Sequence, residues 1–470
     1  MPLAVYDPSE DIDNLRQDWA VIEALQGGTP AMRRAGQTLL PMWPAEDGKA
    51  YDLRLKTATL FPAYRRTVGV MAGKPFAKPL QLKDSDPTIE AWADDIDLQG
   101  VSLHSFAAEM FAETVAFGLD GVLVSYPIAP AEGFRSKADL EASGNRPYFV
   151  RVMHSQILGW IADQQNGKTK LMQLRLKEQA QEPDGPFGVK CIEQVRVLEP
   201  GKWQIWKQVA GDKWMLDSEG VTSLADIPFV PLYGLRKGFM VGTPPMLDLA
   251  YLNVKHWQSQ SDQDTILHVA RVPILALIGA DDQTQLTVGG SAAVRMPLGA
   301  DLKFIEHNGR AIAAGEAALA ALQDQMIQSG AELMVKKPGS RTATETAADA
   351  EANKSDLQRM AENFADALDQ ALVYMGQFAG IANVGNVELF SDYGASTMGE
   401  ASAALIKDLH LAGLVSGPTA IAELQRRGVL SDDIDPEVEF ETAVSEVPAL
   451  PPLQPAQPGM DSTTATTFAN

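Results

Sequence analysis

The second half of the chain is organised around TPPMLDLAYLNVKHWQSQSDQDTILHVARV (Thr243–Val272). Its two prolines suit the first turn of a helix, and no further breaker interrupts the segment before Pro273. The pattern therefore predicts a helix of about 26 residues, roughly 39 Å long. Its middle, KHWQSQSDQDT, is polar on almost every side. A helix with so narrow an apolar stripe is seldom an ordinary core helix.

A short β-rich insertion follows this helix, and a second helix follows the insertion. The apolar runs ILALI, TQLTV, AAVRM and LKFIE are separated by Gly, Asp and Pro, as expected for short strands. The segment AIAAGEAALAALQDQMIQSGAELMV (Ala311–Val335) is again helical. The sequence therefore predicts two long helices that bracket a small β insertion.

A basic loop and a third long helix come next, in MVKKPGSRTATETAADAEANKSDL (Met334–Leu357). The Pro338–Gly339 pair ends the preceding helix. Thr342 and Glu345 match a capping box, in which each side chain satisfies a backbone N–H at a helix start. Large apolar residues then recur every three or four positions. These features predict one helix from Thr342 to about Gly380, with a small, acidic first half and a buried apolar second half.

The first half of the chain is predicted to be α+β. Asp11–Gly28 has the pattern of an amphipathic helix, and Leu53–Phe76 is helical with a break at Pro62. A further helix, capped by Ser102, leads into the short strand VLVSYP. Between Pro147 and Tyr233 the hydrophobic period changes to two, which predicts a meander of strands. Trp203, Trp206 and Trp214 in this meander fit sheet packing, although tryptophan is also common at oligomer interfaces.

Composition bounds the classes of function. The chain has 470 residues, 45% of them hydrophobic, and a formal charge of −22. So acidic a protein argues against a simple phosphate-neutralising DNA binder. The single cysteine, Cys191, excludes an internal disulfide, fits a reducing compartment and is predicted to be a buried strand residue. The acidic N-terminus does not resemble a signal peptide, and no apolar run could span a bilayer, so a soluble protein made inside the cell is expected.

Few residues suggest chemistry. Glu109 and Glu113 are four apart on one helix and could form an acid–base pair, although a solvated face is the simpler interpretation. His256 and His268 share a helix without a ligand pattern for a metal. The acidic stretch 431–441 lacks the spacing of a Ca²⁺ loop and is interpreted as a connector. Nucleotide-binding and hydrolase motifs are absent from the sequence, so we expect neither an enzyme nor a cofactor.

The C-terminal region contains one further helical pattern and a tail. MGEASAALIKDLHLAGLVSGPTAIAELQRRGVL (Met398–Leu430) predicts two helices joined at GLVSGP. A DNA-reading helix-turn-helix is the alternative, but the second helix carries only Arg426 and Arg427, both at its far end. The remaining residues, 444–470, are rich in proline and then threonine and are predicted to be disordered.

The order of these predicted helices, strands and loops resembles that of the portal protein of tailed double-stranded DNA bacteriophages, in a subfamily formerly described only as a domain of unknown function. No single segment is diagnostic, but the ordered set extends over about residues 10 to 440. The segments that carry the resemblance are RLKTATLFPAYRRTVGVMAGKPF with its G-x-x-F turn, HSFAAEMFAETVAFGLDGVLVSYP, IPFVPLYGLRKGFMVGTPPMLDLAYLNVKHWQSQSDQDTILHVARVPILALIGAD, and LVSGPTAIAELQRRGVL.

The resemblance implies an α+β portal fold and a ring of identical subunits, commonly twelve, at one capsid vertex. Double-stranded DNA would be packaged and ejected through the central channel without sequence specificity. The implied regions are the first part of the wing (1–245), a stem helix (246–270), the clip (271–308), a second stem helix (309–335), the tunnel loop (336–341), a long wing helix (342–383), a wing strand with a helical crown (384–443), and the tail (444–470).

The resemblance also implies roles for individual residues. The tunnel-loop cations Lys336, Lys337 and Arg341 would face DNA, whereas the simpler alternative is a solvated loop at a helix C-terminus, where cations favour the helix dipole. An acidic channel wall would let DNA slide, because each cation–phosphate contact adds affinity. In the clip, the residues expected to dock the terminase motor and the head-completion or adaptor proteins are Asp281, Asp282, Gln283 and Arg295.

Other expected partners are the major capsid and scaffold proteins, with no membrane, and the expected location is the virion after synthesis in the host cytoplasm. Two other classes of protein remain open at this stage. The first is another ring or minor capsid component of a virion, and the second is a hydrolase with an unfamiliar site.

Overall fold

The structure is a computed structural model that contains two compact units, Met1–Ser391 and Asp392–Asn470, each described here by itself. The described residues are 3–127, 144–211, 213–270, 274–278, 301–305, 310–331, 355–391, 399–426, 429–430 and 434–446. Helices and strands are mixed along the first unit, which confirms the predicted α+β class.

Four helices open the first unit: α1 (Glu10–Gln26), α2 (Gly28–Ala35), α3 (Gly48–Thr57) and α4 (Ala63–Gly73). The break predicted at Pro62 is confirmed, because Pro62 is the N-cap of α4 and residues 58–62 are non-helical. Two buried side chains hold these helices against the end of a later helix. Trp19 Nε1 donates to the Phe117 carbonyl at 2.8 Å, and the Tyr64 hydroxyl donates to the Ala116 carbonyl at 2.6 Å.

The next elements are strand β1 (Gln81–Ser85) and helices α5 (Pro87–Ala93) and α6 (Leu103–Phe117). The predicted cap at Ser102 is confirmed, since its hydroxyl accepts from the Ser105 N–H at 3.3 Å. The chain leaves α6 at Gly118, whose φ of 81° lies in the left-handed region. A Cβ at Gly118 would also lie 2.2 Å from the Thr243 carbonyl carbon. Both the backbone conformation and the lack of space therefore require glycine at this turn.

Strands β2 (Leu119–Ser125), β3 (Tyr148–Val152) and β9 (Phe229–Tyr233) form an antiparallel sheet in the order β3-β2-β9. The predicted meander is confirmed as a five-stranded antiparallel sheet of β4 (Ile157–Gln165), β5 (Lys168–Asp184), β6 (Gly188–Glu199), β7 (Lys202–Ala210) and β8 (Lys213–Val221). Two short strands, β10 (Leu235–Gly238) and β11 (Val241–Thr243), pair before the chain enters the following helix.

Strands β5 and β6 run well beyond their neighbours. Pairing with β4 ends at Leu176 and pairing with β7 ends at Gln194, so residues 177–193 form a two-stranded ribbon. Phe187, in the turn of this ribbon, is 99% exposed. The prediction that Cys191 is a strand residue is confirmed, but its predicted burial is wrong. Its alternating pattern was that of a sheet strand, whereas the ribbon has no layer packed over Cys191.

The two predicted helices and two of the four predicted strands between them are confirmed by α7 (Leu247–Ala270), β12 (Ile274–Ile278), β13 (Asp301–Ile305) and α8 (Arg310–Ala331). The other two predicted strands, TQLTV and AAVRM, lie outside the described residues. Strands β12 and β13 pair antiparallel, from Ile274 opposite Ile305 to Ile278 opposite Asp301. None of the helices in the described parts of the chain is both long and apolar enough to cross a membrane.

Helix α9 (Asp356–Ala379) begins later than predicted. Ser355 is its N-cap, with extended backbone angles (φ −71°, ψ 159°), so a continuous helix from Thr342 to Gly380 is interrupted there. The Ser355 hydroxyl accepts from the Gln358 N–H, and the Gln358 side chain accepts from the Ser355 N–H. This capping box, S-D-L-Q, was overlooked in favour of T-A-T-E at Thr342, which lies outside the described residues. Strand β14 (Val384–Glu388) then pairs with β1.

The second unit contains α10 (Gly399–Leu411), α11 (Gly417–Arg426) and α12 (Pro436–Glu446). The two helices predicted around GLVSGP are confirmed as α10 and α11. The interpretation of residues 431–441 as a connector is corrected, because α12 begins at Pro436. Asp435 caps it by accepting from the Glu437 N–H at 2.9 Å. Phe440 of α12 packs directly over Gly417 of α11, where a Cβ would have no space.

Candidate functional site: the α7–α8 helix pair

Helices α7 and α8 pack side by side in opposite directions. Gln263 Nε2, near the end of α7, donates to the Ile312 carbonyl near the start of α8 at 3.0 Å. Earlier on α7, His256 Nε2 lies 3.2 Å from Gln323 Nε2, later on α8. In the chain order, the paired strands β12 and β13 lie between these two antiparallel helices.

A glycine on α8 sets how closely the two helices approach. A Cβ at Gly315 would lie 2.0 Å from Gln263 Oε1, so any larger residue would displace the Gln263 side chain. At the other end of α8, a Cβ at Gly330 would lie 2.8 Å from Thr67 Cγ2 on α4. Glycine at these two positions lets α8 pack closely against both α7 and α4.

The polar middle of α7 is buried within the subunit. Four of its polar side chains are at most 4% exposed: Asn253, His256, Ser261 and Gln263. The Asn253 carboxamide accepts from the Tyr64 N–H and donates to the Phe61 carbonyl, both at 2.9 Å. Gln258 Nε2, also on α7, donates to the Leu39 carbonyl at 3.1 Å. This seam explains the narrow apolar stripe of α7, because hydrogen bonds compensate for burying the carboxamides of Asn253 and Gln263, whereas Ser261 Oγ has no partner among the described residues.

His256 is a neutral member of this seam. Burial lowers the pKa of its imidazole, since desolvation disfavours the charged form. The Gln323 carboxamide is the hydrogen-bond partner of His256 Nε2, and Nδ1 has no partner among the described residues. His268 is exposed further along the helix, and no three His, Cys, Asp or Glu side chains in the described part of the chain converge as metal ligands.

A buried ion pair anchors the loop before α3 next to this seam. Arg54 donates from Nε and Nη2 to the two carboxylate oxygens of Glu46, both at 2.7 Å, and the two side chains are 3% exposed. Arg54 Nη2 also donates to the Pro41 carbonyl at 2.8 Å, and its guanidinium carbon lies 4.3 Å from the centre of the Trp43 ring. The hydrogen bonds from Arg54 lower the pKa of Glu46. Sequence reasoning missed this pair, because its members are eight residues apart and share no helix face.

The Arg54 guanidinium also extends to α7. Its Nη1 lies 3.7 Å from Asp262 Oδ1, which connects the loop before α3 to the polar middle of the helix. Burial raises the pKa of Asp262, and the nearby Arg54 charge acts in the opposite direction. The α7–α8 pair is therefore held to the body of the unit by polar contacts on two sides.

The outer face of α8 is open and made mostly of small side chains. It carries two exposed carboxylates, Glu316 and Asp324, and one large apolar residue, Ile327, which is 70% exposed. The small exposed residues are Ala313, Ala314, Ala317, Ala318, Ala320 and Ala321. Such a face permits close approach of another helix but does not by itself identify a partner.

The residues predicted to face DNA or to dock partners lie outside the described residues. They are Lys336, Lys337 and Arg341 in the tunnel loop, and Asp281, Asp282, Gln283 and Arg295 in the β insertion. Their roles remain predictions.

The two glutamates considered as an acid–base pair have different environments. Glu109 forms an ion pair with Arg151, whereas burial raises the pKa of Glu113. Both line an open cavity of about 590 Å³ together with Glu23 and Arg65. Nearby, His154 Nε2 lies 3.1 Å from Glu23 Oε1, and this hydrogen bond lowers the pKa of Glu23. The charged side chains that line this cavity are therefore partly paired with one another.

One family model matches the part of the chain that contains this helix pair. A family described as "Domain of unknown function (DUF4055)" matches residues 245–379, which include α7, α8 and α9 and make up less than half of the chain. No curated protein matches the chain.

Solved structures of particle necks are also similar. A chain from the neck of an empty GTA particle computed with C6 symmetry is 14% identical, with a TM-score of 0.42. A chain from the virion of a native gene transfer agent particle is 13% identical with a TM-score of 0.41, and one from the neck of a native GTA particle computed with C12 symmetry is 13% identical with a TM-score of 0.38. Each comparison covers 77% of this chain and 89% of the other.

Proposed function

We propose that this chain is a phage-type portal protein, whose copies form a ring at one capsid vertex through which double-stranded DNA is packaged and ejected. One observation carries the proposal. Two long antiparallel helices, α7 and α8, enclose a β hairpin and are followed by the strongly amphipathic helix α9. This is the order of stem, clip, stem and wing helix that the sequence resemblance implies.

The polar seam supports a stem role for α7 and α8. Hydrogen bonds from Asn253, Gln258 and Gln263 fix α7 to the loops on one side and to α8 on the other. The pair can therefore keep its position while the outer face of α8 stays free for a neighbouring copy or for the channel. An oligomer built this way buries small side chains between helices and keeps carboxylates near water.

The charge balance supports passage of DNA without capture. Helices α7 and α8 contain five acidic residues but only two Lys or Arg residues, Lys255 and Arg310. A wall of this kind repels phosphate, so contacts that would slow sliding DNA are few. In this proposal Lys336, Lys337 and Arg341 of the tunnel loop supply the limited positive charge that guides the duplex.

In this proposal, other virion components dock at the β insertion that contains β12 and β13. Terminase during packaging, and head-completion or adaptor proteins later, would contact the clip through Asp281, Asp282, Gln283 and Arg295. The capsid and scaffold proteins would contact the wing. The role is structural, without catalysis or a cofactor, and the protein's place is the virion.

Negative-stain electron microscopy of the purified chain tests the proposal. We expect annular particles with a central channel wide enough for duplex DNA. Rings with a closed centre would favour the second candidate, another ring component of a virion, which the same exposed face of α8 could also build. A monomer at every concentration, also when the chain is produced together with its capsid and scaffold proteins, would overturn both.

A further inference from the structure

The ribbon formed by residues 177–193 has an unusual surface for a protein standing alone. A two-stranded ribbon is marginally stable in water, and this one ends in Asp184-Gly185-Pro186-Phe187 with the aromatic ring fully exposed. A phenylalanine buries a large apolar area when it finds a partner surface. Phe187 is therefore positioned as an anchor that lacks a pocket within the described part of its own subunit.

A groove of about 640 Å³ lies between the two sheets and α9. Four half-buried aromatic side chains line it: Tyr126, Tyr148, Trp203 and Phe378. The Trp203 ring lies over Gly220 of β8, where a Cβ would be 2.6 Å from Trp203 Cζ2, and Val221 at the rim is 82% exposed. The groove thus offers aromatic walls and an open apolar edge, which suit a single aromatic side chain.

The subunit cannot fill this groove with its own Phe187. Ala180 lies at the edge of the groove and pairs with Ile192 in the β5–β6 ladder. From Ala180 to the last paired residue, Asp184, the strand advances by about 14 Å, at roughly 3.4 Å per residue. Phe187 lies beyond that point, so it could reach the groove of its own subunit only if the ladder came apart. A Phe187 that enters this groove would therefore come from another copy of the chain.

Charge complementarity supports this choice of occupant. Asp184, three residues before Phe187, and Lys202, next to Trp203, are both exposed. Neither takes part in an ion pair among the described residues, whereas Lys207 at the same groove is paired with Glu182 and Asp217. An arriving ribbon tip would place a carboxylate and an aromatic ring opposite an ammonium group and a tryptophan.

We propose that the ribbon is an exchange arm, in which Phe187 of one subunit inserts into the Trp203 groove of the next and Asp184 pairs with Lys202. The contact is head-to-tail, since arm and groove are different surfaces, and repeated head-to-tail contacts generate a closed ring when the rotation closes. The inference rests on the proposed ring but assigns it a contact that is independent of the stem helices.

Disulfide trapping tests the contact directly. In a Cys191→Ser background, the chain has no other cysteine, so Pro186→Cys, which keeps the Phe187 ring, and Val221→Cys can be combined cleanly. Under mild oxidation the double variant should give a ladder of covalent multimers on a non-reducing gel, and neither single variant should. Intact rings by electron microscopy without any ladder would overturn the arm contact while leaving the portal proposal in place. A ladder without annular particles would support the arm and overturn the portal proposal.

A charge swap provides the second test. Asp184→Lys and Lys202→Glu should each weaken association of the subunits about tenfold, by like-charge contact at the interface. The double variant, with both charges exchanged, should recover most of the loss. Asp163→Lys, an exposed acid at the far end of β4, is the matched control and should leave association unchanged. If the double variant is as weak as the single variants, Asp184 and Lys202 do not meet.

Discussion

The side chain of Asn253 accepts a hydrogen bond from the backbone N–H of Tyr64 at 2.9 Å, across 189 positions of sequence. The same carboxamide donates to the Phe61 carbonyl, so one buried residue of α7 fixes the turn that leads into α4. The relationship shows how α7 acts: its polar residues hold neighbouring backbone segments in place.

Replacing Asn253 should therefore be costly. Asn253→Ala leaves the buried Tyr64 N–H without a partner and removes one of two donors to the Phe61 carbonyl, which also accepts from the Ala63 N–H. We expect a loss of about 1–3 kcal/mol in the free energy of unfolding. Denaturant unfolding at a concentration where the chain is monomeric measures it. Lys255→Ala, two positions away and exposed, should change stability by less than about 0.5 kcal/mol. Equal effects of the two changes would show that the Asn253 bridge is dispensable.

Because α7 and α8 pack closely at Gly315, a larger residue there should clash with Gln263. Gly315→Ala forces the Gln263 side chain from its place and should destabilise the chain by about 1–3 kcal/mol, despite the better helix propensity of alanine. Gly69→Ala is the control, because a Cβ there meets nothing within 4 Å on an exposed helix position. We expect Gly69→Ala to be neutral or stabilising.

A second substitution tests the cause of that clash. Adding Gln263→Ala to Gly315→Ala should recover part of the loss, since the obstructing group is then gone. A double variant in which the two losses simply add would contradict the proposed contact.

The ion pair of Arg54 and Glu46 predicts a dependence on acid. Because Arg54 lowers the pKa of Glu46 in the folded state, the pair contributes stability above the usual value of 4.5, and this contribution is lost as the pH falls through the lowered pKa. Glu46→Gln should cost about 1–3 kcal/mol at pH 7, since it removes the charge and one of the two acceptors opposite Arg54, while Asp262 stays 3.7 Å from Nη1. The difference from the original chain should shrink toward pH 3. Asp52→Asn, exposed on α3, serves as the control, and a pH-independent difference would argue against the pair.

For Asp120 we expect the opposite pH dependence of stability from that of Glu46. Its carboxyl is fully buried, and burial raises its pKa well above the usual value of 3.8. Thr114 Oγ1 lies 2.7 Å from Asp120 Oδ1 and 2.9 Å from the Met110 carbonyl. The Thr114 hydroxyl can donate to Asp120 Oδ1 or to the Met110 carbonyl, and Asp120 Oδ2 has no hydrogen-bond partner among the described residues.

A raised folded-state pKa means that Asp120 costs stability as the pH rises from its usual value toward the folded one. Asp120→Asn keeps an oxygen that can accept from Thr114 but removes the charge, and it should raise the free energy of unfolding at pH 8 more than at pH 5. Unfolding curves at the two pH values measure this. A loss of stability that is the same at both would show that the carboxylate itself is required.

If the proposed tunnel loop contacts DNA, substitutions in it should affect DNA packaging without affecting assembly of the ring. Lys336→Ala, Lys337→Ala and Arg341→Ala together should leave rings intact by electron microscopy but change the amount of DNA packaged or retained. Lys168→Ala, an exposed cation at the start of β5, is the control. Normal packaging by the triple variant would remove these residues from the channel hypothesis.

Local patterns predicted the elements well where breakers and caps are strong. The Pro62 break, the Ser102 cap and the period-two meander were all confirmed, because each depends on residues close together in the chain. The start of α9 was predicted too early, because two capping boxes compete in that stretch and sequence alone ranks them poorly. Cys191 was expected to be buried, because an alternating strand has the same pattern in a sheet and in a free ribbon.

The sequence by itself determined the order of the parts, the acidic balance and the polar character of α7, since these depend only on composition and short spacings. Only the tertiary structure decided which polar side chains of α7 are buried and what they contact. It buries Asn253, His256 and Gln263 against distant backbone, and it brings Arg54 to Glu46 and Asp262. It also leaves Phe187 without cover. These outcomes depend on contacts between residues far apart in the chain, where hydrogen bonds and desolvation are set by the packed geometry and not by local propensity.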